Sequence, residues 1–147
     1  NTTGLNTVKT KWLRDLSKLT NISFVNIQEH FRKSKTISKF FSDEFPNFNS
    51  YVIPGFRAPG QDSGRPIAGL AQLSTTSLNI KKIRVKTTSP RIQAQVLELP
   101  KSKLLWMNAY LPTDNGDHNI EDLNEVLREI ESITDKTEFD DILWGQI

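Results

Sequence analysis

The sequence contains no cysteine. Disulfides and cysteine-ligated zinc are therefore excluded, and an intracellular setting is favoured. No stretch approaches the roughly 18 consecutive apolar residues that a membrane-spanning helix needs, so no membrane partner is expected. The first residues, NTTGLNTVKT, lack both an initiator methionine and the apolar segment of a secretory signal. That start, with an equally abrupt finish, leads us to expect a fragment or a processed chain. Charge of one sign is also scarce. Nineteen Lys and Arg against 17 Asp and Glu leave a formal charge of +2, which is no argument for nucleic acid, although a local basic patch is compatible with it. Gly-x-Ser-x-Gly, His-Glu-x-x-His and Gly-x-Gly-x-x-Gly are all missing, so hydrolase elbows, zincins and the dinucleotide fold have no support.

What is present suits one globular domain. The chain has 147 residues, 36% of them hydrophobic and 24% charged, with eight Phe and three Trp to build a core. Val8, Trp12, Leu13, Leu16 and Leu19 recur at helical spacing after a possible cap at Asn6 or Thr7. Residues 22 to 27 read as a short buried strand. Ile37, Phe40, Phe41 and Phe45 form a second helical stripe closed by Pro46, and residues 48 to 53 a second strand. Residues 54 to 66, PGFRAPGQDSGRP, hold three Pro and three Gly. They predict a long loop, either a functional loop or a surface excursion.

Four strands follow: IAGLAQL (67 to 73), LNIKKIRVKT, RIQAQVLEL and KLLWMNAY. Their close spacing favours antiparallel hairpins and a meander. The last of them is nearly all apolar and should be central. Ile120, Leu123, Val126, Leu127, Ile130 and Ile133 give the clearest helix, with Asp117 or Asn119 as cap and Glu121 and Asp122 suited to the positive end of its dipole. FDDILWG is a final buried strand. The order is that of an α/β domain with a mixed sheet.

Several residues are of types that carry chemistry, each with a plainer alternative. The strand in NISFVNIQEHF ends on Gln28, Glu29 and His30, as a strand opening onto a polar site would. Glu29 suits a hard cation such as Mg²⁺, or is a surface carboxylate in a strand–helix loop. His30 is an acid or base near neutral pH, or a loop residue or helix cap. Asn1, in NTTGL, marks a tight turn or holds a phosphate oxygen. Tyr110 ends the apolar strand and either presents its hydroxyl to a phosphate or is a core aromatic. Arg65, in GRPIAG, offers a fork of donors that matches phosphate, but no Gly-Lys-Ser/Thr follows, so this is not a P-loop.

In chain order NTTGL, a helix, FVNIQEH, GRPIAGLAQL, LLWMNAYLP, a second helix and DDILWG resemble the endonuclease/exonuclease/phosphatase family, which includes apurinic endonucleases, DNase I, sphingomyelinases and inositol polyphosphate phosphatases. The likeness is greatest to the endonuclease domain of non-LTR (LINE-like) retrotransposons, where a Gly-Arg-Pro-x-Gly-Gly-Leu-Ala-like run and a Tyr-x-Pro after the central strand are familiar. It spans essentially the whole chain but only the N-terminal part of the family domain, so residues 1 to 147 are expected to be the N-terminal portion of a single domain. The implied fold is an α/β, DNase I-like two-sheet sandwich, incomplete, with one sheet and its flanking helices largely covered and the active site at the strand ends.

The resemblance also implies roles. Glu29 would hold Mg²⁺ or Mn²⁺, with Gln28 supporting it from beside. Asn1 and Tyr110 would contact the scissile phosphate. Arg57, Arg65 and Asn108, with Lys81 and Lys82, would lie along a DNA backbone, giving salt-dependent affinity with little sequence readout. The implied partners are DNA and, within a longer polyprotein, a reverse transcriptase; the implied location is the nucleus. There are departures. The family continues from ILWG into Gly-Asp-Phe/Leu-Asn, whereas here Gly145 is followed by Gln146 and Ile147. The distal Ser-Asp-His has no counterpart, and His118 does not take that part. A change of reading frame or a splice junction after Gly145 would account for this. The expectation is a Mg²⁺-dependent DNA phosphodiesterase, incomplete and weakly active or inactive. The alternatives are a non-catalytic nucleic-acid- or protein-binding module and a phosphatase acting on inositol or lipid phosphates. A sandwich cut near its middle should also expose an apolar patch.

Overall fold

A computed structural model describes residues 5–32, 36–57, 60, 63–64, 66–112 and 118–146. Asn1, Arg65 and the cap candidate Asp117 lie outside them. The chain divides into two units, Asn1–Asn79 and Ile80–Ile147.

The first unit runs α1 (Thr7–Leu19), β1 (Phe24–Ile27), α2 (Ile37–Glu44), β2 (Phe48–Ile53) and β3 (Leu70–Thr75). Helix α1 starts where the Asn6 side chain accepts the Lys9 N–H at 3.0 Å, satisfying one of the donors a helix start leaves unpaired. Its inward face is not the whole apolar stripe, because Val8 is 76% and Trp12 63% exposed. Leu5, just ahead of the helix, belongs to the core together with Leu13. That fixes the roll of the helix and turns Thr10 inward, where its hydroxyl donates to the Asn6 carbonyl at 2.8 Å. In α2, Ile37, Phe41 and Phe45 are buried at a spacing of four, which lays one narrow stripe on the sheet.

The first sheet has the order β1-β3-β2, wholly antiparallel. Ile27 pairs with Ala71, and Ile53 with Leu70. Strand β3 therefore does not join the later meander that strand spacing favoured. It is the centre of the first sheet, and residues 70 to 74 are all buried. It also begins at Leu70 rather than Ile67. Ala68 and Gly69 have φ of 55° and 94°, left-handed values that no strand sustains. The 54–66 loop is the connection of the β2–β3 hairpin. Phe56 and Ile67 close its base, exchanging N–H···O bonds of 3.0 and 2.7 Å.

The second unit runs β4 (Lys81–Arg84), β5 (Ile92–Glu98), β6 (Lys103–Ala109), α3 (His118–Lys136) and β7 (Asp141–Gln146), with sheet order β4-β5-β6-β7. The first three strands form an antiparallel meander, and β7 runs parallel to β6. A parallel neighbour needs a crossover, and α3 supplies it. The sheet is thus mixed, with apolar β6 inside it, as the sequence predicts.

Ile92, Ala94, Val96, Leu105, Met107 and Ala109 form the second core with Val126 and Ile133 of α3. The alternate positions of β5 are not wet, because Gln93 and Gln95 are buried too. On α3, Ile120 and Leu127 are exposed. The row at helical spacing is instead Asp122, Val126, Glu129 and Ile133, two carboxylates among two core residues. Glu129 accepts the backbone N–H groups of Thr88 and, at 2.9 Å, Ser89, tying the β4–β5 connection to the helix. The exposed large apolar side chains are divided among α1, β4, α3 and β7.

The start of β3 yields a sharp test. A Cβ added at Gly69 would lie 2.6, 2.7 and 2.9 Å from three ring atoms of His30, and the φ of +94° disfavours any side chain. Gly69→Ala is expected to cost about 2–4 kcal/mol, measured as a lower urea midpoint with an unchanged slope.

Candidate functional site at two strand ends

Strand β1 ends at Ile27, and the next three residues leave strand geometry abruptly. Glu29 has φ of 53° and Phe31 of 55°. Both are left-handed conformations that cost a residue with a Cβ roughly 1–2 kcal/mol. Between them His30 turns into the core and is almost wholly buried. Its Nδ1 accepts the Arg32 N–H at 3.0 Å, and its Nε2 lies 3.0 Å from the Ile53 carbonyl. A carbonyl only accepts, so Nε2 carries the proton and the ring is the neutral Nε2–H tautomer. The Phe41 ring meets it edge-on at 5.6 Å, and Gly69 lies flat against it.

The backbone repeats the attachment, His30 N–H to Gly69 O at 3.3 Å and Phe31 N–H to Ala68 O at 3.2 Å. His30 is therefore an anchor: it lies in the connection between β1 and α2, as the plainer reading expected, but buried and with both ring nitrogens taken by backbone groups. Burial pushes its pKa down to about 4, against the raising effect of the carbonyl contacts. Glu29 stands beside this anchor, half-buried, with Gln28 half-buried before it. A single carboxylate is thus held on a rigid strand end. Among the described residues no group of three or more His, Asp or Glu gathers as a ready-made metal cage.

Tyr110 follows the last residue of β6 in the second unit. Its N–H donates to the Arg91 carbonyl at 2.9 Å. The Arg91 guanidinium carbon lies 5.4 Å from the centre of the Tyr110 ring, within the range of a cation–π contact. The Arg91 side chain, only 13% exposed, reaches Asp122 of α3 at 3.5 Å. Gln93, two residues along β5, receives the Asn108 amide at 3.5 Å.

Asn108 is fully buried. Arg57 donates to the Gly64 carbonyl at 3.0 Å, which ties its own loop together. Lys81 pairs with Glu98 at 2.8 Å. A cleft of about 350 Å³ that includes Lys103, Glu138 and Asp140 lies at the far ends of β5 and β6 from Tyr110. Arg91 and Asp122 were not legible as site residues. Asp122 looks like an ordinary acid in a first helical turn, and Arg91 like a charged strand edge.

Two outcomes follow from the anchor. Replacing Glu29 by Asn, which tolerates the left-handed region, is expected to leave stability unchanged or raise it by up to about 1 kcal/mol, measured by denaturant unfolding. The second concerns pH. The unfolded imidazole protonates near its ordinary 6.5 and the folded one only near 4. The unfolded state therefore binds the extra proton as pH falls through that window, and stability drops. The loss from this group is roughly 3 kcal/mol, complete near pH 4. Urea unfolding at pH 7 and pH 4 should show it, with a shallower pH dependence in His30→Gln.

No protein-family model and no curated protein matches the chain. Solved structures do. An AP endonuclease from Leishmania major superposes with a TM-score of 0.64 over 95% of this chain and 49% of its own, at 11% identity. TDP2 from Caenorhabditis elegans gives 0.54 over 95% and 41%, at 12% identity. A humanized D. rerio TDP2 gives 0.52 over 90% and 51%, at 13% identity. The chain spans about half of each neighbour's length or less. Its described residues form a three-stranded and a four-stranded sheet with three helices, the DNase I-like α/β fold.

Proposed function

We propose that this chain is the N-terminal portion of a metal-assisted phosphodiesterase domain that cuts DNA, of the type carried by non-LTR retrotransposons. The observation that carries the reading is the carboxylate of Glu29. It sits at a strand end, in a costly left-handed conformation, beside an anchor that over-determines its position. Mg²⁺ is commonly held by one or two carboxylates, with water and substrate phosphate filling its other positions. A lone, rigid Glu29 fits that mode of binding, and Mn²⁺ accepts the same donors. When bound, such an ion supplies positive charge to the phosphate and to the departing oxygen.

The protein's own groups do the rest. Glu29 would offer its carboxylate to the ion, with Gln28 supporting it from beside, as the family resemblance implies. Tyr110 offers a hydroxyl donor to a phosphate oxygen, and Asn1 and Arg65 add donors in the manner the family resemblance implies. Arg57 contributes positive potential near Gly64 rather than a dedicated contact. A fold neighbour named as an AP endonuclease favours DNA over inositol or lipid phosphates as the substrate. In the retrotransposon setting the domain is joined to a reverse transcriptase and works in the nucleus.

Supercoiled plasmid incubated with the chain and Mg²⁺ tests this. Weak nicking is expected, abolished by chelation and reduced on the order of 100-fold in Glu29→Ala. Salt-sensitive retention of DNA without any nicking would instead make the chain a binding module. Release of inorganic phosphate from inositol phosphates would sink both.

A further inference from the structure

We propose that Arg91 is a positioning residue for Tyr110, holding the phenol at the end of β6 from a seat that α3 fixes. The inference rests on the reading of Tyr110 as a phosphate-contacting group. Three contacts carry it, all within the second unit. The Arg91 carbonyl takes the Tyr110 N–H at 2.9 Å, so backbone position at 110 is set by residue 91. The Arg91 guanidinium lies over the Tyr110 ring at 5.4 Å, which restricts the ring's rotation and keeps a positive charge beside it. Asp122 of α3 reaches that same guanidinium at 3.5 Å.

The seat is itself supported. The Arg91 N–H donates to the Ser89 hydroxyl oxygen at 3.2 Å. The Ser89 and Thr88 N–H groups in turn donate to Glu129, two helical turns after Asp122. A helix row that would ordinarily be apolar thus spends two carboxylates on the approach to β5. The Asp122 carboxylate is half-exposed and its contact long, so it adds little stability as an ion pair. Its effect is directional: it holds the guanidinium where the ring is. Arg91 is mostly buried, and it lies at the end of the sheet where Tyr110 leaves β6, since Ile92 is the register partner of Ala109.

A double-mutant cycle on Mg²⁺-dependent plasmid nicking tests the idea, using Arg91→Met, Tyr110→Phe and the pair, with Arg91→Lys as the conservative variant. If Arg91 acts through Tyr110, Arg91→Met lowers kcat by about 10–100-fold with little change in KM, and adds almost nothing in the Tyr110→Phe background. Arg91→Lys, which keeps the cation over the ring, recovers part of the loss. Additive effects, or a loss confined to KM, would overturn the proposal and make Arg91 a phosphate contact in its own right.

A second measurement does not need turnover. The chain has two tyrosines, so fluorotyrosine labelling gives two ¹⁹F resonances, and Tyr110→Phe identifies the one of interest. Arg91→Met should move or broaden the Tyr110 resonance and leave that of Tyr51 in place. Asp122→Asn should do the same to a smaller extent. An unmoved Tyr110 resonance in Arg91→Met refutes positioning even if activity falls. If nicking is lost in Glu29→Ala yet unaffected by Tyr110→Phe, the role given to Tyr110 is what fails. In that case the resonance alone decides whether Arg91 orders the ring.

Discussion

The first unit is organised around one neutral imidazole. His30 joins three elements at a point: the end of β1 that carries it, the end of β2 through the Ile53 carbonyl, and the start of β3 through Gly69. Phe41 brings in α2 as a fourth. Both ring nitrogens are used, one as donor and one as acceptor, so the ring meets its hydrogen-bonding capacity only while neutral. Protonation would add an N–H at Nδ1 facing the Arg32 N–H, donor against donor. The same demand explains the backbone around it. Turning His30 inward at this depth requires left-handed residues on either side, and Ala68 and Gly69 across the gap adopt the matching conformation. The strain is thus distributed over both strands that flank the imidazole.

The second unit fixes its strand end by different means. There the fastening is charged and partly wet: Glu129 on two backbone N–H groups, Asp122 on Arg91, Arg91 over Tyr110. Charge-assisted bonds to backbone donors are strong and directional, whereas an exposed ion pair at 3.5 Å is worth little. The ordering of Arg91 therefore rests first on its burial and on the connection that Glu129 holds, and only then on Asp122. A neutral anchor in one unit and a carboxylate-held loop in the other reach the same result, a polar side chain kept in place just beyond a strand.

Much of this was legible in the sequence. Helix α2, strand β2, the apolar β6 and the final strand β7 follow from period and from length. What failed did so for identifiable reasons. Apolar spacing in α1 and α3 marked a stripe but not its roll, because Leu5 and the carboxylates at 122 and 129 set the roll and none of them belongs to the stripe. Strand β3 was assigned to the wrong sheet because the long connection between β2 and β3, residues 54 to 69, disguises a hairpin. Gln93 and Gln95 are buried as well, which alternation in the sequence does not reveal, because glutamine is usually exposed. Glu29 was legible as a strand-end carboxylate. The anchor next to it was not, since a histidine in a polar run gives no sign that both its nitrogens will be satisfied by backbone.

The conformation of Glu29 bears on why a carboxylate is there at all. If position 29 served only the fold, glycine or asparagine would adopt φ of 53° at lower cost. Glutamate is neither, and it carries the backbone strain of that conformation. Among the described residues it belongs to no group of three or more acids or imidazoles. A residue strained in this way beside the His30 anchor fits the role proposed for it, a group kept for what it binds. The rigidity matters in its own right. A single carboxylate can select a hard cation only if it does not swing, because the ion's remaining positions are filled by water and substrate and contribute little to holding it in register. The imidazole is neutral and adds no charge of its own beside Glu29, while the charge of Arg32, whose N–H bonds to the ring, bears on the same anchor. On the reading proposed above, a neutral His30 would leave the negative charge of Glu29 to a bound ion.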